Sequence, residues 1–197
     1  MKIRSVSGRS LIPWLDAVAQ LRATVFRDYP YLYDGSAAYE REYLQTYVEC
    51  SDSIVLLVVD EDGDESTVVG ASTGLPMTAA DPAFRAPLEK AGLAAGRVFY
   101  FGESVLLPTF RGLGLGHRFF DLREAHAAKL GLPVTTFCAV DRPARHPKRP
   151  ADYRPLDPFW TARGYVKRPD LQAVFDWKEI GRSEEIPHTL TFWLRAA

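Results

Sequence analysis

The stretch LLPTFRGLGLGHRF, from Leu106 to Phe119, places three glycines at alternate positions between an apolar strand and an amphipathic helix. Glycine loses more backbone entropy on folding than any other residue, so a cluster indicates unusual backbone angles or close contact with another group. The first turn of a helix has backbone N–H groups without partners and carries partial positive charge. The stretch therefore predicts a loop that binds a phosphate or pyrophosphate, with a tight turn without a ligand as the alternative.

The residues around the glycines distinguish this loop from two common nucleotide-binding loops. The loop of nucleotide triphosphatases ends in Gly-Lys-Ser/Thr, but here Gly116 precedes His117 and Arg118. The dinucleotide fingerprint G-x-G-x-x-G directly follows the first strand of a parallel unit. Here the spacing is G-x-G-x-G and the motif lies in the middle of the chain. Both readings are disfavoured.

Length and composition are typical of one soluble globular domain. The chain has 197 residues, of which 47% are apolar and 25% charged, which is enough for a single core. Its formal net charge of −1 gives no reason to expect nucleic acid or an anionic membrane as a partner. Cys50 and Cys138 form no metal-binding or redox motif, and the N-terminus has no long apolar run. We expect a cytoplasmic protein without a metal site, in which Cys138 is a small core residue.

The pattern of apolar residues predicts helices and strands that alternate along the chain. The predicted strands cover 2–7, 53–60, 67–76, 97–108, 133–140, 171–180 and 186–196, and the predicted helices cover 10–28, 37–49, 81–94, 114–130 and 156–163. The acidic run 60–66 is the predicted turn of the 54–75 hairpin, and the proline-rich segment 141–155 is a predicted loop. With one strand–helix–strand crossover at 98–140, these elements predict a single α/β domain over 1–197. Its sheet is expected to be mixed, mostly antiparallel and flanked by helices.

The glycine motif and its surroundings resemble the acyl-CoA loop of the GNAT acyltransferase superfamily. The family pattern Arg/Gln-x-x-Gly-x-Gly/Ala is matched by Arg111, Gly114 and Gly116. The segment PFWTARGY, Pro158 to Tyr165, is similar to the aromatic pair, glycine and aromatic residue of the family's last helix. The element order also resembles this fold. The resemblance implies a GNAT-like domain that uses acetyl-CoA or another acyl-CoA, without a metal. It also implies an amine acceptor, either a small molecule or a peptide.

The resemblance also implies which residues contact the acyl-CoA. Backbone amides of the loop would hold the CoA pyrophosphate, and the pantetheine arm would follow the open edge of the preceding strand. The cofactor-binding residues implied in this way are Leu106, Leu107, Arg111, Gly112, Leu113, Gly114, Leu115, Gly116 and His117. A backbone N–H near Leu106 is the implied donor to the oxyanion.

Glu103 is the candidate general base for proton removal from the amine. It is the only ionisable side chain well inside an apolar strand, and burial among Phe99, Phe101 and Val105 favours proton uptake. The alternative is an edge glutamate that faces solvent or pairs with an arginine. A bulge of the strand near Pro108 would change which residues face the cleft.

The general acid is not identified by the sequence. Relatives often have a tyrosine second in the aromatic pair, where this chain has Trp160, and an indole N–H cannot serve as a proton acid. Tyr153, Tyr165 or water could take this role. A catalytically silent acyl-CoA-binding or sensor module is therefore a second hypothesis. An enzyme that acts on another phosphate ligand is a third.

Two further segments are candidates for the acceptor side. In this fold the segment between the first two helices usually lines the acceptor pocket, so Tyr29, Tyr31 and Tyr33 are candidate substrate-binding residues. They could instead cover the core with their rings. The basic loop 141–155 is expected near the site, where it meets an acidic acceptor or the CoA 3′-phosphate, or is simply solvated. A homodimer is left open.

Overall fold

Strands of the protein pair into one open sheet in the order β1-β2-β3-β4-β5-β7-β6. The computed structural model describes residues 1–61 and 67–196, so most of the predicted turn at 60–66 lies outside the described residues. The strands are β1 (Lys2–Val6), β2 (Ile54–Asp60), β3 (Thr67–Pro76), β4 (Val98–Leu106), β5 (Val134–Val140), β6 (Val166–Lys178) and β7 (Glu185–Ala196). Neighbouring strands are antiparallel except β4 and β5, which confirms the predicted mixed α/β sheet and its crossover.

Helices cover both faces of the sheet. They are α1 (Leu15–Val25), α2 (Ala37–Glu49), α3 (Pro82–Lys90), α4 (Leu115–Lys129) and α5 (Asp157–Ala162). Each lies where the sequence predicts a helix, but several bounds were wrong. The first predicted helix begins as a 3-10 helix at Gly8–Trp14, which includes Pro13, and ends at Val25 rather than 28, and the third ends at Lys90 rather than 94. The strand predicted to begin at 171 begins at Val166.

Alternating residues of the central strands belong to two separate hydrophobic cores, one on each face of the sheet. In β2, Val55, Leu57 and Val59 pack under α1 and α2, whereas Ile54, Leu56 and Val58 belong to the core on the α4 side. Because both faces of the strand are buried, its sequence is a continuous apolar run. The aromatic residues concentrate under α4 and α5, where Phe99, Phe101, Phe119, Phe120, Phe137, Tyr165 and Trp193 pack together.

The two parallel strands separate in the middle of the sheet. Pairing between β4 and β5 covers only Val98–Tyr100 against Val134–Thr136. Both strands continue beyond this point, to Leu106 and Val140, without pairing to each other. The sheet therefore has a V-shaped gap that opens toward the glycine loop at the end of β4.

A β-bulge lies beside this gap. Ser72 faces Ser104 and Gly74 faces Phe101, so β4 has one residue more than β3 between these pairs, at Gly102–Glu103. The prediction of a bulge near Pro108 was wrong, because the position is set by packing. A Cβ atom on Gly102 would lie 2.1 Å from the hydroxyl of Tyr47 and 2.4 Å from Oγ1 of Thr73, so only glycine fits.

Arg123 of α4 binds the backbone carbonyls that the bulge leaves without strand partners. It is 1% exposed and donates hydrogen bonds to the carbonyl oxygens of Thr73 (3.1 Å) and Glu103 (3.3 Å) and to Oγ of Ser104 (3.0 Å). Its guanidinium lies 4.1 Å from the ring centre of Phe101. Burial lowers the pKa of Arg123 to about 10, so the side chain is charged at neutral pH. One cation thus connects α4 to the irregular part of β4.

Replacing Arg123 with methionine is expected to lower the free energy of unfolding by about 3 kcal/mol, because buried carbonyl groups would lose their donors. The control is Arg118→Met on an exposed position of the same helix, with an expected change below about 0.5 kcal/mol. Urea denaturation followed by circular dichroism measures both. Equal stability of Arg123→Met and the unmodified protein would show that the bulge does not depend on Arg123.

Candidate active site

The glycine loop connects the open end of the gap to α4. A short 3-10 turn at Pro108–Phe110 leads to Gly112 and Gly114, which both have φ of +79°. A side chain rarely adopts this angle, and a Cβ atom on either glycine would meet no protein atom within 4 Å. The glycines are therefore required by backbone conformation, and the space beside them is open. Gly116 lies in the first turn of α4, close to Phe159.

Backbone N–H groups of this loop have no protein acceptor. Within the described residues, none of the N–H groups from Gly112 to His117 donates to a protein atom, and the first bond of the turn runs from Arg118 N to Gly114 O at 3.3 Å. These donors, at the positive end of the α4 dipole, form a site for an anion. Residues 112–117 of the predicted cofactor set thus come together around one open space.

The other three predicted cofactor residues line the end of β4. Leu107 N donates to Val69 O at 3.0 Å, so the N–H of Leu106 points the other way, toward the gap, because alternate residues of a strand face opposite neighbours. Arg111 points away from the loop. Its Nε donates to Leu106 O at 3.0 Å, and its Nη2 lies 3.4 Å from Oδ2 of Asp28.

Glu103 lies at the bulge in a buried ion pair. The residue is 9% exposed, and its Oε1 contacts Nη1 of Arg22 from α1. Nε of Arg22 donates to Oε2 of Glu40 from α2 at 2.5 Å. Burial opposes the charge of Arg22, but the attraction of Glu103, Tyr43 and Glu40 raises its pKa well above the usual value. The alternative of pairing with an arginine is thus what the structure shows, and the role of Glu103 as a base stays a prediction.

Tyrosine hydroxyls surround this cluster. The hydroxyls of Tyr43 and Tyr47 are 3.3 Å apart, and that of Tyr100 lies 3.4 Å from Sγ of Cys138. Sequence reasoning did not assign Arg22, Glu40 or these tyrosines to the site. Arg22 offered a signal, since it is a charged residue on the apolar stripe of the first predicted helix.

Two of the three candidate acceptor tyrosines pack near Phe26, and the third turns to the basic loop. Tyr31 packs between Phe26 (4.7 Å between ring centres) and Trp177 (6.0 Å), and burial raises its pKa. Tyr33 packs near Phe26 and Tyr39, and burial and the nearby Glu40 raise its pKa. Tyr29 instead contacts Tyr153 and His146 of the basic loop, with 4.6 and 5.6 Å between ring centres. The structure does not bring them together as one clamp.

The segment 28–31 bridges the two sides of the gap. Asp28 is bound by Arg111, which follows β4. Arg142, which follows β5, donates to the carbonyl oxygens of Pro30 (2.6 Å) and Tyr31 (2.9 Å) and to Oε1 of Glu179 (2.5 Å). The first arginine of the basic loop is therefore structural, and it holds this segment against the end of β6.

The candidates for the general acid occupy different places. Trp160 packs against Phe137 and Trp193, at 5.0 and 5.1 Å between ring centres. Tyr165 is 1% exposed and its hydroxyl is bound to Oγ1 of Thr135 and Oε1 of Glu124, under α4. Tyr153 lies beside Tyr29, so of the two tyrosines it is the one next to the segment 28–31. Burial raises its pKa.

Among residues 1–61 and 67–196, no helix has the length and apolar character that a membrane span requires. No group of three or more His, Cys, Asp or Glu side chains in that part of the chain is arranged to hold a metal ion.

The sequence matches no family model and no curated protein, whereas the structure has close neighbours. The ribosomal-protein-alanine N-acetyltransferase from Brucella melitensis is similar over 100% of both chains, with a TM-score of 0.61 at 13% identity. NAA60 from Arabidopsis thaliana in complex with acetyl-CoA covers 99% of this chain and 98% of its own, with a TM-score of 0.63 at 11% identity. An aminoglycoside 6′-N-acetyltransferase complexed with coenzyme A gives a TM-score of 0.58 at 15% identity, over 100% of this chain and 97% of its own. At such identities the likeness shows the fold.

Removing the partner of Arg142 is expected to destabilise the protein in a pH-dependent way. Burial opposes the charge of Glu179, but the hydrogen bond and charge of Arg142 outweigh it and hold the pKa of Glu179 below its usual value. The pair therefore adds stability above the ordinary glutamate pKa of about 4.3, and this stability is lost as the pH falls through the lower folded value. Glu179→Gln should cost about 3 kcal/mol of unfolding free energy at pH 7.

Urea denaturation at pH 7 and below pH 4 measures this difference, which should shrink in acid. Glu184→Gln, at an exposed position of the same β6–β7 connection, is the control and should match the unmodified protein. A Glu179→Gln deficit that is the same at both pH values would contradict the assignment to an ion pair.

Proposed function

The chain has the GNAT fold, and on this premise we propose that it is an N-acetyltransferase that moves an acetyl group from acetyl-CoA, or another acyl group from its CoA ester, to an amine. The observation that carries the proposal is the open glycine loop, whose free N–H groups adjoin the gap between β4 and β5. Two of the neighbours were solved with coenzyme A or acetyl-CoA, which supports the same class of ligand here.

The residues present fit an acyl-CoA. The N–H groups from Gly112 to His117 would bind the pyrophosphate, whose charge suits the N-terminus of α4. The edge of β4 that faces the gap would offer the N–H of Leu106 to the pantetheine arm, as one strand offers its backbone groups to another. Arg111 supports the loop through the carbonyl oxygen of Leu106. Acyl-CoA supplies an activated thioester.

Side chains and backbone groups around the bulge would carry out the transfer. Glu103 would take the proton of the amine through Oε2, since Oε1 contacts Nη1 of Arg22. The N–H of Leu106 would donate to the acyl oxygen as negative charge develops there. Tyr153 is the candidate proton donor for the leaving thiolate.

Trp160 favours a second candidate, a module that binds acyl-CoA without turnover. Its indole packs against Phe137 and Trp193 and provides no titratable group where relatives often have a tyrosine. Incubation with acetyl-CoA and a broad panel of amines separates the two candidates. Release of free thiol that depends on Glu103 would exclude the silent module.

Gly114→Trp is expected to weaken CoA binding at least about tenfold, because the indole would fill the space proposed for the pyrophosphate. Isothermal titration with CoA measures the dissociation constant. Gly131→Trp is the matched control, since Gly131 lies just beyond the other end of α4, also has positive φ (+71°) and also has open space around its Cβ position. Unchanged affinity of Gly114→Trp, or an equal loss in both variants, would reject the loop assignment.

Glu103→Gln is expected to lower kcat by about 10²–10⁴-fold while the affinity for CoA stays unchanged, because the amide cannot accept the proton of the amine. Thiol release from acetyl-CoA and titration with CoA provide the two measurements. Glu42→Gln, at an exposed position of α2, is the control for a lost carboxylate. Full activity of Glu103→Gln would remove Glu103 as the base.

A further inference from the structure

Carboxyl groups outnumber guanidinium groups around Glu103 on the face of the sheet under α1 and α2. Two buried carboxyl groups, those of Glu40 and Glu103, share the single guanidinium of Arg22. The other nearby cation, Arg123, attracts Glu103 from α4 on the opposite face, but it donates its hydrogen bonds to the carbonyl oxygens of Thr73 and Glu103 rather than to a carboxyl group. This face of the cluster therefore offers two carboxyl groups and one arginine, already engaged, to a bound amine.

The remaining titratable groups that face the cluster are neutral at physiological pH. They come from the α1–α2 segment, α2, β4 and β5, and they are Tyr31, Tyr33, Tyr43, Tyr47, Tyr100 and Cys138. Burial raises the pKa of each of these phenols and raises that of the Cys138 thiol to about 12. None of them offers a positive charge to a ligand.

The arginines that border the site are engaged with protein acceptors. Arg22 binds the two carboxylates, and Arg111 binds Leu106 O and Asp28. Arg142 binds Glu179 and two carbonyl oxygens. In the basic loop, Arg149 covers the ring of Tyr153 at 5.0 Å, and Lys148 donates to Ile180 O at 2.6 Å. A carboxylate on the amine-bearing carbon lies only about 2.5 Å from the nitrogen, so it would lie beside the carboxyl groups that receive the amine.

Aromatic rings form the rest of the surroundings. Phe84 of α3 packs on Tyr100 and on Phe175, with ring centres 4.7 and 4.4 Å apart, and Tyr31 packs near Trp177. A narrow cavity of about 50 Å³ between α2 and α3 reaches the rings of Tyr43, Tyr47, Phe84 and Tyr100. The faces of such rings attract cations and cover apolar chains. The guanidinium of Arg22, 4.3 Å from the ring centre of Tyr43, already uses one of them.

We propose that the acceptor is a cationic amine with an apolar or aromatic body and no carboxylate on the carbon that bears the amino group, an inference that rests on the proposed function. The ammonium form is attracted by the carboxyl groups of Glu40 and Glu103, and it then transfers its proton to Glu103. A free α-amino acid would place its carboxylate against Glu103 and Glu40, with no unengaged arginine beside it. Decarboxylated amines and carboxyl-blocked compounds avoid this repulsion.

Tyramine, tyrosine and tyrosine methyl ester are the matched probes. They share one ring and one amino group, and the ester separates the charge of the carboxylate from its bulk. We expect tyramine and the ester to exceed tyrosine at least about tenfold in kcat/KM for thiol release from acetyl-CoA, which corresponds to about 1.4 kcal/mol. The same order is expected in isothermal titration of each probe into CoA-saturated protein.

The variant Glu40→Gln tests whether the preference for tyramine over tyrosine comes from the carboxyl groups of Glu40 and Glu103. Its amide oxygen still accepts from Arg22, but one of the two carboxyl groups is gone, so the preference for tyramine over tyrosine should fall several-fold. Glu42→Gln, exposed on the same helix, should keep the original preference. Urea denaturation of both variants checks that the fold is retained.

The outcomes separate this inference from the proposed function. Equal or better use of tyrosine, or no detectable binding of tyramine, would overturn the acceptor class. The probes are also titrated without CoA. Loss of CoA binding then counts against the proposed function, while the ratio of tyramine to tyrosine affinity still decides the acceptor class.

Discussion

The site depends on one irregularity of the backbone, the extra residue of β4 at Gly102–Glu103. It changes the direction of the strand where β4 leaves β5, and the gap between the two strands begins there. A bulge leaves carbonyl groups without strand partners in the interior, which is costly unless another donor binds them. Arg123 supplies those hydrogen bonds from α4, the helix whose N-terminus carries the glycine loop. The anion site and the reacting end of the gap are therefore supported by one helix.

The face of the sheet under α1 and α2 is organised by charge rather than by shape. Arg22 joins α1, α2 and β4 because two carboxylates from different elements need the same guanidinium. Removing either carboxylate would leave Arg22 with one partner, and removing Arg22 would leave two buried like charges. Such a cluster holds the first two helices in place over the sheet, and it fixes the position of the Glu103 carboxylate.

Local features were predictable from the sequence and long-range ones were not. The left-handed angles of Gly112 and Gly114 and the start of α4 depend on neighbouring residues, so the loop was predicted correctly in place and extent. The bulge was expected near Pro108, but its position follows from contacts of Gly102 with Tyr47 and Thr73 in other strands and helices. The pairing of strands, and the point at which β4 and β5 separate, likewise depend on contacts between residues far apart in the sequence.

The same limit applies to the side chains of the site. The burial of Glu103 follows from its apolar strand, whereas its partner comes from α1 and the second carboxylate from α2. The spacing of Tyr29, Tyr31 and Tyr33 could not show that Tyr29 turns to the basic loop while the other two pack near Phe26. Arg142 lies in a segment whose many prolines and charges are typical of a solvated loop, yet it is bound by backbone carbonyls from the segment between α1 and α2.

The ties of residues 28–31 to both Arg111 and Arg142 give the fold a mechanical property. The segment 28–31 is bound to the residues that follow both β4 and β5. A change in the distance between the ends of these strands therefore displaces the segment around Tyr31. A molecule that binds between β4 and β5 and one that binds against the segment 28–31 therefore favour or oppose the same displacement. Thermodynamic linkage then requires that each alters the affinity of the other by the same factor, which couples the two halves of the site without a hinge between domains.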